Sequence, residues 1–136
     1  MHKVRIFGVF LLFSAGACSS EPEDVAQTWR DGRDGLCLVG EAGALRAGLI
    51  AYGAGDANCS LAGKADRAGD KLTITPQGDT NCRVEVAITG EQARLGPLSE
   101  ACSYYCGPGA NFSNRVLQPA ADTPAKITDL AGDSLC

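Results

Sequence analysis

The chain has 136 residues, with 12 Lys and Arg against 16 Asp and Glu. This length suits one domain and leaves little room for two. The net charge of −4 argues against a nucleic-acid partner, because phosphate recognition depends on an excess of Lys and Arg. Seven cysteines in so short a chain are typical of a disulfide-bonded, exported protein.

The N-terminal segment, residues 1–17, has the three parts of a secretory signal peptide. Lys3 and Arg5 precede an apolar run at residues 6–13, and small residues follow that run. The apolar run is much shorter than the roughly 20 residues that a membrane-spanning helix needs. We therefore expect residues 1–17 to be absent from the mature protein.

Cys18 directly follows these small residues, in the order Ala-Gly-Ala-Cys. This arrangement resembles the lipobox of bacterial lipoproteins, and the resemblance covers residues 1–20. It implies that Cys18 is lipidated and anchors the protein to a membrane, since two or more acyl chains give stable anchoring. Ser19 is similar to the outer-membrane sorting pattern, which implies a periplasm-facing or surface location. The alternative is an ordinary signal peptide cut near Ala17, which would leave a soluble secreted protein.

The mature chain is acidic and lacks histidine. Removal of Lys3 and Arg5 leaves 10 basic and 16 acidic side chains, a net charge of −6, and the one histidine is His2. Without histidine, neither a Ser-His nor a Cys-His nucleophile system can be built, and a zinc site would need cysteines alone. We therefore predict a non-enzymatic protein with no metal or cofactor, no nucleic-acid partner, and a preference for a cationic protein partner.

In chain order, residues 18–28 are polar and acidic, and they are predicted to form a flexible tether. A single domain is then predicted over residues 29–136, beginning at Trp29. The Asp-Gly steps of residues 30–35 are typical of turns, and the spacing of Asp31 and Asp34 does not fit a calcium loop.

Alternation of apolar and polar residues predicts short strands over most of this domain. For example, Val84, Val86 and Ile88 lie on one face of the predicted strand 82–88. The predicted strands are 36–40, 45–52, 59–65, 71–76, 82–88, 93–98 and 115–119. Because the connections between most of them are short enough for hairpins, the fold class is mainly β: a small antiparallel meander or barrel-like sheet.

One short helix is predicted over residues 98–107. Ser99 is a suitable N-cap, and Pro108 prevents the helix from continuing. The segment after residue 119 reads as an extended tail. Its last residue, Cys136, predicts that the tail is tied back covalently.

If Cys18 carries lipid, six cysteines remain as disulfide candidates: Cys37, Cys59, Cys82, Cys102, Cys106 and Cys136. Six cysteines allow 15 pairings. The repeated segments GDANC (55–59) and GDTNC (78–82) place two of them at similar turns, and hairpin register then predicts a Cys59–Cys82 bridge. Cys37 is predicted to pair with Cys102 or Cys106, and Cys136 with the other. The alternative is a local Cys102–Cys106 bridge together with Cys37–Cys136.

Three functions fit these features. The first is an envelope lipoprotein with a non-catalytic binding or structural role, for which Tyr104 and Tyr105 are the candidate binding surface. Their other interpretation is as half-buried rings that cover disulfides. The second is a periplasmic binding protein similar in architecture to the small lipid-anchored lysozyme inhibitors, which are β-barrels of this size. The third is a thiol redox protein that uses Cys102 and Cys106.

Overall fold

The computed structural model describes residue 16 and residues 24–136. The predicted signal peptide otherwise lies outside the described residues, as do the lipidation site Cys18 and residues 19–23. In the described part of the chain, no helix combines the length and apolar character needed to cross a membrane.

Eight antiparallel strands form a closed barrel in which each strand pairs with the next and β8 pairs with β1. The strands are β1 (Asp24–Asp31), β2 (Asp34–Glu41), β3 (Ala44–Tyr52), β4 (Asn58–Ala68), β5 (Lys71–Pro76), β6 (Val84–Thr89), β7 (Gln92–Leu95) and β8 (Val116–Pro119). The predicted mainly-β, barrel-like fold is therefore confirmed. The predicted helix is a 3₁₀ helix over Glu100–Tyr105, and a second 3₁₀ turn spans Pro124–Lys126.

Strand β1 is the element that the sequence pattern does not reveal. It begins at Asp24, so residues 24–28, predicted to belong to the tether, pair with residues 37–41 of β2. Most of these residues are exposed, and burial begins at Thr28 and Trp29. Because an exposed strand end lacks the apolar alternation that marks a half-buried strand, only pairing with β2 defines it.

Apolar side chains from all eight strands fill the barrel interior. In β3, for instance, Leu45, Ala47, Leu49 and Ala51 point inward and are buried. Large inward residues from the rest of the barrel and its connections are Trp29, Leu36, Leu72, Ile74, Val84, Val86, Leu95, Phe112 and Leu117. The described barrel is thus a packed core, as expected for eight strands, whose interior is just wide enough for side chains.

The two ends of the barrel differ. At one end, called here the turn end, tight turns join β2 to β3, β4 to β5 and β6 to β7, and β1 begins there. Trp29 donates a hydrogen bond from its indole nitrogen to the carbonyl of Glu91 in the last of these turns, at 2.9 Å. At the other end, the capped end, the long connection 96–115 between β7 and β8 packs on the core through Phe112, which is fully buried.

The C-terminal tail, residues 120–136, packs on the outside of β2 and β3. Ile127 is fully buried against Cys37 and Ile50 in a second, smaller apolar cluster. The close approach requires glycine at position 48, because a Cβ atom there would lie 2.5 Å from that of Leu135. The covalent attachment of the tail through Cys136 is as predicted, since Cys136 bonds Cys37.

Candidate functional site

The six candidate cysteines form three disulfides: Cys37–Cys136, Cys59–Cys106 and Cys82–Cys102. The predicted Cys59–Cys82 bridge is wrong, and so is the predicted pairing of Cys37 with Cys102 or Cys106. The local Cys102–Cys106 bridge of the alternative is also wrong. Its other member, Cys37–Cys136, is correct.

The long connection 96–115 explains the wrong pairing. Cys106 lies opposite Cys59 in an isolated β-bridge, and the amide of Gly107 donates to the carbonyl of Asn58 at 2.9 Å. The connection therefore runs beside the start of β4 and places Cys106 next to Cys59, while Cys82 in the β5–β6 loop bonds Cys102. Hairpin register predicts contacts only between neighbouring strands, so it cannot predict the path of a connection that crosses the end of the barrel.

The repeated GD-x-N-C segments are turn signatures. Gly55 and Gly78 have φ of 60° and 78°, in the left-handed region that favours glycine. The Asn58 side chain donates to the Asp56 carbonyl at 3.0 Å, and the Asn81 amide donates to the Asp79 carboxylate at 2.9 Å. These bonds within each turn account for the polar residues of the repeat.

Tyr104 and Tyr105 lie on the 3₁₀ helix at the capped end. Tyr104 is 87% exposed, whereas Tyr105 is half-buried and packs against the core. Their ring centroids are 5.3 Å apart in an edge-to-face arrangement. Cys102 and Cys106 flank the pair, and each is bonded to a different part of the barrel, so both ends of this turn are held covalently.

Tyr105 is fixed by a hydrogen bond from its hydroxyl to the Asp79 carboxylate at 2.8 Å. This bond lowers the pKa of Asp79 below 3.8, with a smaller contribution from the amide of Asn81. Burial raises the pKa of Tyr105 above 10.0, and the hydrogen bond to Asp79 raises it further. At neutral pH the pair is therefore a neutral phenol donating to a charged carboxylate. Sequence reasoning found Tyr105 but missed Asp79, which lies 26 residues away.

A groove of about 650 Å³ opens beside Asp79 on the outer face of β3, β4 and β5. Its floor contains Ala62 and Gly63. Its polar lining residues are Arg46, Lys64, Thr75, Gln77, Asp79 and Thr80. None of these residues stood out in the sequence, because each is an ordinary polar residue of a strand or loop, and only the strand register brings them together.

A partly buried ion pair also lies at the capped end, with Asp34 buried and Arg115 about one third exposed. The Asp34 carboxylate, 7% exposed, contacts the Arg115 guanidinium at 2.5 Å and accepts a hydrogen bond from the Tyr52 amide at 2.7 Å. Arg115 also donates to the Tyr52 carbonyl at 2.9 Å. Because every partner belongs to the barrel or its connection, this network joins β2, β3 and the 96–115 connection, and its role is structural.

Cys102 and Cys106 do not form the dithiol pair that a redox function would use. Each bonds a distant cysteine, and Cys59, Cys82 and Cys102 are fully buried. Over the described residues, no three His, Cys, Asp or Glu side chains are grouped in a way that would hold a metal ion. No family model, curated protein or solved structure matches the chain.

Proposed function

We propose that this chain is a lipid-anchored bacterial envelope protein that binds a partner protein, without catalysis, through the capped end of its barrel. The binding residues are Tyr104, Tyr105, Glu100 and Asp79, named here the Tyr104 surface. The observation that carries the proposal is the 87% exposure of Tyr104 on a turn that two disulfides hold in place.

The position of Tyr104 is not explained by packing of the barrel. Its ring contacts Tyr105 at its edge and otherwise faces solvent. Tyrosine is enriched at protein interfaces because it offers a large, rigid contact area at low entropic cost. Covalent attachment on both sides lowers that cost further, since less freedom remains to be lost when a partner binds.

The charge around Tyr104 favours a cationic partner. Glu100 lies on the same 3₁₀ helix, and Asp79 stays ionised at neutral pH because its pKa is lowered. The mature chain as a whole carries a net charge of −6. An acidic rim around an aromatic residue increases the association rate with a basic protein and disfavours acidic ones.

A lipid on Cys18 would present this surface away from the membrane. Asp24, at the turn end, follows Cys18 by six residues, and six extended residues span at most about 20 Å. The turn end would then lie nearest the bilayer. The capped end, with Tyr104, would lie on the opposite side of the barrel, where a periplasmic or extracellular partner can reach it.

The binding proposal is tested by crosslinking the anchored protein in its native envelope and measuring the yield of crosslinked partner. We expect Tyr104→Ala to reduce that yield at least tenfold with no change in melting temperature, because Tyr104 contributes little to the fold. Leu130→Ala is the matched control, since Leu130 is also a large exposed apolar residue, at 53%, but lies on the tail. Equal yields for Tyr104→Ala and the parent would refute the proposal.

The anchor is tested separately by intact-mass measurement of protein extracted from membranes. We expect acyl chains on Cys18, and we expect Cys18→Ser to appear in the soluble exported fraction. An unmodified Cys18 in the parent protein would contradict lipid anchoring. The binding role of the Tyr104 surface would still be tested by the crosslinking experiment.

Lysozyme inhibition is a second candidate function, favoured by the closed eight-stranded barrel and the acidic net charge. It rests on architectural likeness, which by itself does not identify a function. The test is lysozyme activity in the presence of micromolar purified protein. Inhibition that Tyr104→Ala abolishes would identify the partner as lysozyme, and undiminished activity would exclude this candidate.

A thiol redox function has less support, because Cys102 and Cys106 bond Cys82 and Cys59. Thiol counting on native protein distinguishes it. We expect no reactive thiol within residues 24–136 under mild reduction. Rapid release of thiols at residues 102 and 106 would favour the redox function.

A further inference from the structure

We propose that the groove beside Asp79 binds a small ligand bearing an oxyanion, either a carboxylate or a phosphate, through Arg46 and Lys64. This site adjoins the Tyr104 surface at Asp79, which belongs to both, but its ligand is a different one. The strand register places two cations side by side, where the fold alone does not favour them.

Arg46 on β3 and Lys64 on β4 are direct cross-strand partners, and both side chains are exposed on the outer face. Like charges directly opposite each other in a sheet are destabilising. Lys71, by contrast, forms a 2.9 Å ion pair with Glu85. The repulsion between these facing cations therefore destabilises the sheet locally, and a bound anion would reduce that repulsion.

The protein itself compensates these two charges poorly. Arg46 makes no ion pair with any residue between 24 and 136. Lys64 approaches Asp66 at 3.7 Å, with both side chains well exposed, and such pairs contribute little. Although the chain has a net charge of −4, these two basic groups remain available to a ligand.

Facing acids occur as well, but in different surroundings. Asp34 faces Asp31 and is neutralised by Arg115, and Asp24 faces Glu41 where β1 begins and β2 ends. Neither acidic pair lines the groove. The facing cations are thus distinguished by their position in a concave site of about 650 Å³, a volume within the usual range of small-molecule sites.

The other groove residues supply hydrogen-bond donors suited to an oxyanion. Thr75 is the cross-strand partner of Lys64, so its hydroxyl continues the row that begins at Arg46. Gln77 and Thr80 add an amide and a second hydroxyl. Asp79, the one acid in the lining, accepts hydrogen bonds from the Tyr105 hydroxyl and from the backbone amides of Asn81 and Cys82. Because Arg46 and Lys64 are two cations against this one carboxylate, the lining keeps a net positive charge.

Titration of the full mature chain carrying Cys18→Ser, followed by two-dimensional NMR, tests the proposal. The probes are inorganic phosphate in one arm and succinate in the other, so the arms distinguish the two anion classes. We expect saturable shifts at Lys64, Thr75 and Gln77 with at least one probe. Arg46→Gln and Lys64→Gln should each weaken that binding about tenfold, since each variant removes a charge-assisted hydrogen bond to the anion.

Arg94→Gln is the matched control, because Arg94 is an exposed strand cation outside the groove. We expect it to bind within twofold of the parent. We also expect Arg46→Gln to melt at or above the parent temperature, because it relieves the repulsion of Lys64. The proposal is overturned if neither probe gives saturable shifts, if Arg46→Gln binds as the parent does, or if the loss is as large in Arg94→Gln.

Discussion

At the scale of single residues, the carboxylates of Asp34 and Asp56 differ in their burial and in their ion-pair partners. Asp34 is buried and paired with Arg115, whereas Asp56 is largely exposed and paired with Arg33 at 3.0 Å. A buried ion pair contributes little net stability, but removal of one partner leaves an uncompensated charge. An exposed pair is screened by solvent, and its loss costs at most about 1 kcal/mol.

We therefore expect Arg115→Met to lower the free energy of unfolding by about 2–4 kcal/mol, because Asp34 is then left buried without its counter-charge. The matched variant Arg33→Met should change it by less than about 1 kcal/mol. Urea unfolding at neutral pH measures both. Equal losses would show that burial of Asp34 does not decide the effect.

The hydrogen bond from Tyr105 to Asp79 predicts a pH dependence. Because the folded-state pKa of Asp79 is below its ordinary 3.8, the bond stabilises the folded state above that pH. The contribution is lost as the pH falls through the lowered pKa. We expect Tyr105→Phe to melt below the parent at pH 7, with the difference shrinking below about pH 3.8.

Thermal unfolding across this pH range, with Tyr104→Phe as the control, checks the prediction. The Tyr104 hydroxyl donates no hydrogen bond to a carboxylate of the described residues, so its loss should leave the curve unchanged. A Tyr105→Phe deficit that persists undiminished in acid would mean that ring packing, and not Asp79, accounts for the loss.

At the scale of elements, the 3₁₀ helix and the C-terminal tail are short segments that their disulfides hold to the barrel. Glu100–Tyr105 is only six residues long, too short to be stable by itself. The tail contains a three-residue 3₁₀ turn and packs through Ile127 and Leu135. Both segments depend on contacts with the strands beneath them.

We expect Gly48→Ala to displace the tail from β3, because its Cβ atom would lie 2.5 Å from the Cβ of Leu135. The expected loss of stability is about 1–3 kcal/mol, with faster proteolysis within residues 120–136. Gly107→Ala is the control, since the nearest atom to its Cβ would be 3.7 Å away. Proteolysis of Gly48→Ala at the parent rate would contradict the close packing of the tail.

At the scale of the whole molecule, the disulfides close loops of very different length. Cys37 and Cys136 are 99 residues apart in sequence, whereas Cys82 and Cys102 are 20 apart. In the chain-entropy model the longer loop stabilises by roughly 5 kcal/mol and the shorter by roughly 3 kcal/mol. The bond to the terminal residue thus restricts the unfolded chain most.

We expect the double variant Cys37→Ala, Cys136→Ala to lose more unfolding free energy than Cys82→Ala, Cys102→Ala, by about 1–2 kcal/mol. Urea unfolding of the two variants measures the difference. A larger loss for the Cys82–Cys102 variant would show that native packing at the capped end outweighs loop length.

A disulfide-bonded antiparallel β fold was predictable from the alternation of residues 71–76 and 82–88, the Gly-Asp turns and the six cysteines other than Cys18. The alternation and the turns are local signals. Tyr104 and Tyr105 were also identified from the sequence, as the aromatic pair between two cysteines. Their roles were not separable there, since exposure depends on what packs nearby. Only the structure shows that the Tyr105 hydroxyl donates a hydrogen bond to Asp79 while Tyr104 faces solvent.

The sequence by itself determined the strand periodicity, the positions of the turns and the cysteines available for bridges, since each depends on neighbours a few residues apart. The tertiary structure decided that β1 begins at Asp24 and that Cys59 bonds Cys106. It also decided that Arg46 and Lys64 are cross-strand neighbours lining one groove. These features depend on barrel closure and on the path of one long connection, which bring together residues that no local pattern relates.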